Sequence, residues 1–234
     1  MESVFKIFLI LHIVAGTTGL ITGPISMLVQ KGSRVHILSG LIFYYAMIIV
    51  SASSFVLASL HNIPFLFAVG VFTAYLTLTG RRFMTQMQRG KPNQTGNYEI
   101  VIAVLTGIAG LYFLSYGIYL LVHQYIFGLV FLGFSVGITL FLLTDYKHIV
   151  LKNVSKLFWL SQHISRMMGA MIASFTAFAV VNSTGRLSLL AWFGPTVVVV
   201  PFIILWLRRI KKEPVNTLMV FSKKRVAQLN LVSF

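Results

Sequence analysis

Four residues carry most of the chemistry this chain offers: His12, His36, His163 and Arg166. His163 and Arg166 stand three apart, on one face of a helix, inside an apolar run from 157 to 181. Ionisable groups in such a run are costly in lipid, so they face protein or a cavity. An imidazole can ligate a metal, hydrogen-bond a ligand or move a proton. A guanidinium can clamp an anion. A bis-histidine haem needs two imidazoles at matching depth on facing helices. His36 with His163 is the best inner pair. Gly40, one turn beyond His36, would give a porphyrin room, and Arg166 would meet a propionate. The outer pair is poorer, because His12 lies deeper than either His61 or His123. Three histidines would also suit Zn or Cu, but no two histidines are spaced i,i+4 and no acid is at hand to orient an imidazole. The plainer alternative makes His163, Arg166, Ser161, Gln162 and Ser165 interhelical glue. Arg166 would then snorkel inward, with Asp145 neutralising it.

What is missing narrows the chemistry. There are four acids, Glu2, Glu99, Asp145 and Glu213, and the apolar segments are expected to hold none of them. Asp145 and His148 are placed at the inner mouth. Paired-carboxylate hydrolysis therefore has no residues. The H-E-x-x-H and Gly-x-Ser-x-Gly patterns do not occur. Gly90 and Lys91 lack the spacing of a phosphate-binding loop. There is no cysteine, which removes disulfides, thiolate metal sites and cysteine nucleophiles.

The elements that must position these groups are transmembrane helices. Of 234 residues, 57% are hydrophobic and 10% charged, and the mean hydropathy is +0.88. A soluble domain carries about 25% charged residues. Seven apolar segments, near 4–29, 37–60, 63–80, 99–122, 124–144, 157–181 and 188–207, each approach the roughly 20 residues a spanning helix needs. Alternating barrel strands are absent, so the expected fold is an all-α bundle of seven transmembrane helices. The first segment is read as a retained helix rather than a signal peptide, since it runs on to Val29 without a small-x-small cleavage site.

Charge sets the expected orientation. The net charge is +15, which in a soluble protein would suggest nucleic acid. Here no folded basic domain exists to bind it, and the excess follows from loops meeting anionic inner-leaflet headgroups. Lys31 and Arg34, then Arg81, Arg82, Arg89 and Lys91, then Lys147, Lys152 and Lys156, fill alternate connections. The intervening ones are nearly free of Lys and Arg, with Arg186 alone near the sixth. The N-terminus is thus expected outside and the C-terminus in the cytoplasm. Residues 1–209 form the transmembrane domain, and 210–234 a basic amphipathic cytoplasmic tail lying along the leaflet or recruiting a partner. Gly16, Gly19 and Gly23, Gly107 and Gly110, and Gly133 and Gly137 are read as close-packing positions. Pro24 should kink the first helix or end its regular part.

The set His12, Gly23-Pro24, Lys31-Gly32, Arg34-x-His36-x3-Gly40, His163-x2-Arg166-Met167 and Thr176-Ala177-Phe178 resembles a family of bacterial multi-pass membrane proteins. That family is known only as a domain of unknown function. The resemblance spans nearly the whole chain. It implies a polytopic fold in a bacterial inner (plasma) membrane and the same four residues, and it supplies no activity or cofactor. There is also a distant likeness to b-type cytochrome bundles. The leading expectation is a buried site of His12, His36, Gly40, His163 and Arg166 that binds a redox ligand, haem b or a quinone, with His36 and His163 as axial ligands in the haem case. The alternatives are a small-solute permease using the Gly/Pro kink, and a non-catalytic membrane scaffold.

Overall fold

The computed structural model describes residues 2–89, 97–151, 155–183 and 188–212. These form seven helices: α1 (Glu2–Leu28), α2 (Arg34–His61), α3 (Pro64–Arg89), α4 (Asn97–Val122), α5 (Gly128–Leu151), α6 (Lys156–Val181) and α7 (Ser188–Lys212). No strand occurs among the described residues. Residues 90–96 and most of the tail lie outside them, as do Lys152 and Arg186, so the expectations for the third loop and the amphipathic tail fall outside the described residues.

Helix ends follow local chemistry. Ser33 accepts from the His36 N–H at 3.1 Å, and Ser155 from the Phe158 N–H at 3.2 Å, as N-cap side chains do. Asn62 ends α2 in the left-handed region, at φ 50, and its N–H returns to Ala58 O. The fifth helix begins at Gly128 rather than near 124. Gln124, at φ 64, breaks the helical path, and Tyr125 N–H closes on Leu120 O at 2.8 Å. α1 continues through Pro24 to Leu28 instead of ending there.

Six helices are long and apolar enough to cross a membrane: α1, α2, α4, α5, α6 and α7. α3 falls short on apolarity, not on length. The chain is inside out relative to a soluble domain. Ser39, Ser51, Ser53, Ser54, Thr73 and Thr77 are buried, while Ile10, Val14, Leu105, Leu111, Val197 and Leu205 are exposed. Four of these hydroxyls, on Ser39, Ser53, Ser54 and Thr77, are satisfied by the preceding turn, as in Ser54 to Val50 O at 2.7 Å and Thr77 to Thr73 O at 2.6 Å. This is a multi-pass membrane architecture.

Helices α1, α2, α3 and α6 form a closed ring, each touching the next. Phe43, Met47, Leu76, Ala170 and Met171 fill its interior. α7 packs on α6. The α4–α5 hairpin rests on α3 through a second core of Ala68, Phe113, Phe131 and Ile138. The ring places α2 and α6, bearers of His36 and His163, on either side of α3. The C-terminal halves of α1, α3 and α5 meet the N-terminal halves of α2, α4 and α6 at one end of the bundle, the basic end, through the Ser26–His36, Arg82–Glu99 and Asp145–Arg166 contacts.

Candidate functional site

Arg166 is fully buried, and each of its N–H groups is used. Nη2 meets Asp145 Oδ1 at 2.6 Å and Phe141 O at 3.3 Å. Nη1 meets Thr79 Oγ1 at 2.7 Å and Asp145 Oδ2 at 3.3 Å. Nε donates to Gln162 Oε1 at 3.3 Å. Tyr75 donates its hydroxyl to Asp145 Oδ2. The guanidinium carbon lies 4.8 Å from the Phe83 ring, 5.1 Å from Phe141 and 5.3 Å from Tyr75. A bidentate carboxylate, three further oxygens and three ring faces make this a saturated pair. It ties α6 to α3 and α5.

Asp145 is therefore not at the mouth. It is buried, with α5 continuing past it to Leu151. The apolar bundle does hold a carboxylate, contrary to the expectation that it would not. Nearer the basic end, Glu99 Oε1 accepts from Arg82 Nε at 2.5 Å and Gln86 Nε2 at 2.8 Å. A cavity of about 30 Å³ lies between the two ion pairs, lined by Thr79, Arg82, Tyr98, Glu99 and Asp145 among others. That is room for one or two waters.

His163 turns to a different neighbour. Its Nδ1 lies 2.9 Å from Gly80 O. Gly80 permits this approach, since a Cβ there would sit 3.0 Å from the Arg166 Cβ and 3.1 Å from Met167 Sδ. His36 does the same at the end of α1, with Nδ1 2.9 Å from Ser26 O. A carbonyl oxygen only accepts, so in both rings Nδ1 carries the proton. In the neutral ring Nε2 then holds the lone pair. A carbonyl that accepts from one ring nitrogen orients an imidazole that ligates through the other in this way. Lys31 shares the Ser26 acceptor at 2.9 Å and also donates to Met27 O. Its partial burial lowers its pKa from the usual lysine value to about 8. His36, Arg81 and Lys31 all lie close enough to His163 for their charges to act there.

The structure thus sets His36 on the end of α1 and His163 on α3, both toward the basic end, and places Arg166 one turn beyond His163. A Cβ on Gly40 would meet nothing within 4 Å, so this position borders open space. His12 is elsewhere. Its Nδ1 lies 3.0 Å from Ser53 Oγ, 17 positions along α2 from His36, or about 25 Å at 1.5 Å per residue. The Ser53 hydroxyl donates to Ile49 O or Val50 O, so its oxygen accepts from His12. Among the described residues no three His, Asp or Glu gather as a metal site.

Sequence reasoning missed Tyr75, Thr79, Phe141, Ser26 and Gly80. Three of these, Ser26, Gly80 and Phe141, act through main-chain oxygens, which leave no side-chain signature. Comparison of the chain with known protein families, with characterised proteins and with solved structures finds no match.

Proposed function

We propose that this is a seven-span protein of a bacterial inner membrane, N-terminus out and C-terminus in, that binds a redox ligand at its basic end. His36 and His163 hold the ligand through Nε2. The observation that carries this reading is the pair of Nδ1–H···O=C bonds, to Ser26 and Gly80. They leave two lone-pair nitrogens on helices either side of α3. The donor set fits haem b, and it equally fits hydrogen bonding to a quinone once Nε2 is protonated. Haem would supply one-electron carriage within the membrane. The chain's own residues orient the rings. Arg166 acts as a positioning residue: its donors are spent on Asp145, Thr79, Phe141 and Gln162, so it holds α6 at the height where His163 meets Gly80. Gly40 leaves space beside His36.

The test is the absorbance of protein purified in mild detergent after expression with ample haem, oxidised and then reduced. A Soret band that sharpens on reduction and is lost in His36→Ala or His163→Ala supports haem. A colourless protein sinks haem and leaves quinone, to be sought by mass spectrometry of bound lipid extracts.

A second reading has its own observation. Asp145 is a buried carboxylate beside a cavity that leads toward Arg82 and Glu99. Buried carboxylates mark solute and proton paths in transporters. A permease would show specific uptake in proteoliposomes that fails in Asp145→Asn while His36→Ala leaves it standing.

A further inference from the structure

We propose that a water molecule is bound at mid-depth in the helix ring, held by the hydroxyls of Ser51 on α2 and Thr73 on α3, with Thr176 on α6 as the third partner. The site needs neither a redox ligand nor a transported solute.

Serine and threonine in a buried helix commonly return the hydroxyl to a carbonyl of the preceding turn. Ser39, Ser53, Ser54, Thr77, Thr79 and Ser174 do so here, at 2.6–2.9 Å. Ser51, Thr73 and Thr176 do not. Their hydroxyl oxygens are buried and have no hydrogen-bond partner among the described residues. Ser51 is 2% exposed and Thr73 1%, so neither turns to the lipid. Buried polar atoms are nearly always bonded, by protein or by ordered water.

Helix register sets the three near one level. α3 returns antiparallel to α2 after Asn62, and a Cβ on Gly70 would lie 3.0 Å from Ser54 Cβ. Three residues toward the basic end from that contact, α2 presents Ser51 and α3 presents Thr73. α6 is antiparallel to α3. A Cβ on Gly80 would lie 3.0 Å from Arg166 Cβ, and one on Gly169 would lie 3.2 Å from Leu76 Cδ1. Two turns past Gly169, on the same face, stands Thr176, about one turn from the level of Thr73. The hydroxyls do not bond each other, and a water spans such a gap. Three polar partners are the usual complement of a buried water.

The chemistry favours a neutral occupant. Asp145 is spent on Arg166 and Glu99 on Arg82, so a cation among these hydroxyls would meet no counter-charge. Depth makes the site unusual. From His61 back to Ser51 and from Pro64 on to Thr73 is about 15 Å at 1.5 Å per residue, the middle of a roughly 30 Å hydrocarbon core.

The test is hydroxyl-radical footprinting of the full chain in nanodiscs. A short X-ray pulse splits bound water in place, and the radicals oxidise the side chains beside it. Met47 is the reporter, fully buried and one turn from Ser51 on α2. Met47 sulfoxide should form in the wild type and fall severalfold in Ser51→Ala with Thr73→Val. Absence of Met47 oxidation, or oxidation that the double change leaves intact, overturns the proposal. Melting temperature decides the matter independently. With a shared water, Ser51→Ala and Thr73→Val should each lower it by about 2–4 °C, the loss of one hydrogen bond, and the double change by less than the sum. Unchanged or raised melting temperatures in both single variants would mean that each hydroxyl bonds nothing, or only its own helix, and would remove the site.

Discussion

A buried guanidinium is tolerable only when every donor and the charge itself are matched, and Arg166 meets both conditions through Asp145. Removing one partner strands the other. Asp145→Asn or Arg166→Met alone should cost about 3–5 kcal/mol. The double change Asp145→Leu with Arg166→Met should recover most of that, because a well-packed apolar pair avoids the desolvation of two ions. Thermal unfolding in detergent of the two singles and the double checks this, and equal losses in all three would show that the site does not repack around an apolar pair. Lys31 gives a pH signature at the same scale. Its folded pKa, about 8, lies below the ordinary lysine value of 10.5, so the unfolded chain binds the extra proton between those values. Stability then rises as pH climbs from about 8 to 10.5, and Lys31→Gln should flatten that rise in melting temperature. The sequence made Arg166 visible as a cation in an apolar run. Its partner Asp145 was legible too, but its depth was not, since Asp145 stands where hydropathy fades while α5 itself continues for more than a turn.

Helix existence was legible because lipid demands unbroken apolar runs, and all seven runs became helices. Which faces meet was only half legible. Gly19 and Gly23 do admit close neighbours, Met47 for the first and Phe43 with Met171 for the second, and Gly110 and Gly137 admit Ile138 and Phe72. Gly133, chosen on the same spacing, borders open space. The tightest backbone approach involves Gly117 and Gly128, which no spacing rule picks out because the pair straddles a turn. A Cβ on Gly128 would lie 2.5 Å from Gly117 O and 2.9 Å from Leu121 Cγ. A backbone oxygen within a helix cannot step aside as a methionine can. Gly128→Ala should therefore splay the α4–α5 hairpin and cost about 1–3 kcal/mol, whereas Gly133→Ala should be close to neutral. Unfolding of the two variants side by side separates a packing effect from a general cost of replacing glycine.

At the scale of the whole molecule the open matter is α3 and, through it, the side on which each terminus lies. α3 is the least apolar helix by the measure that picks the other six, yet it is the one most enclosed by protein. It packs against α2 and α6 in the ring and carries the α4–α5 hairpin on its outer side. A helix sheltered from lipid can carry Thr73, Thr77 and Gln86 buried against its neighbours at little cost, so low hydropathy here reflects enclosure. The tight α2–α3 turn at Asn62 sends α3 back along α2, and at about 1.5 Å per residue its 26 residues span roughly 39 Å, enough for a bilayer core. The proposed seven crossings would put the termini on opposite sides, and the positive-inside rule would then set the Lys31, Arg81 and Lys147 end inside. The absence of cysteine makes a direct test clean. Single cysteines at Glu2, His61 and Tyr125 should react with a membrane-impermeant maleimide in intact cells. Those at Gln30 and Ser155 should react only after permeabilisation. Labelling of Glu2 and Gln30 from the same side would remove α1 as a span. The reverse pattern throughout would invert the protein and place the basic end, with His36 and His163, on the outer face.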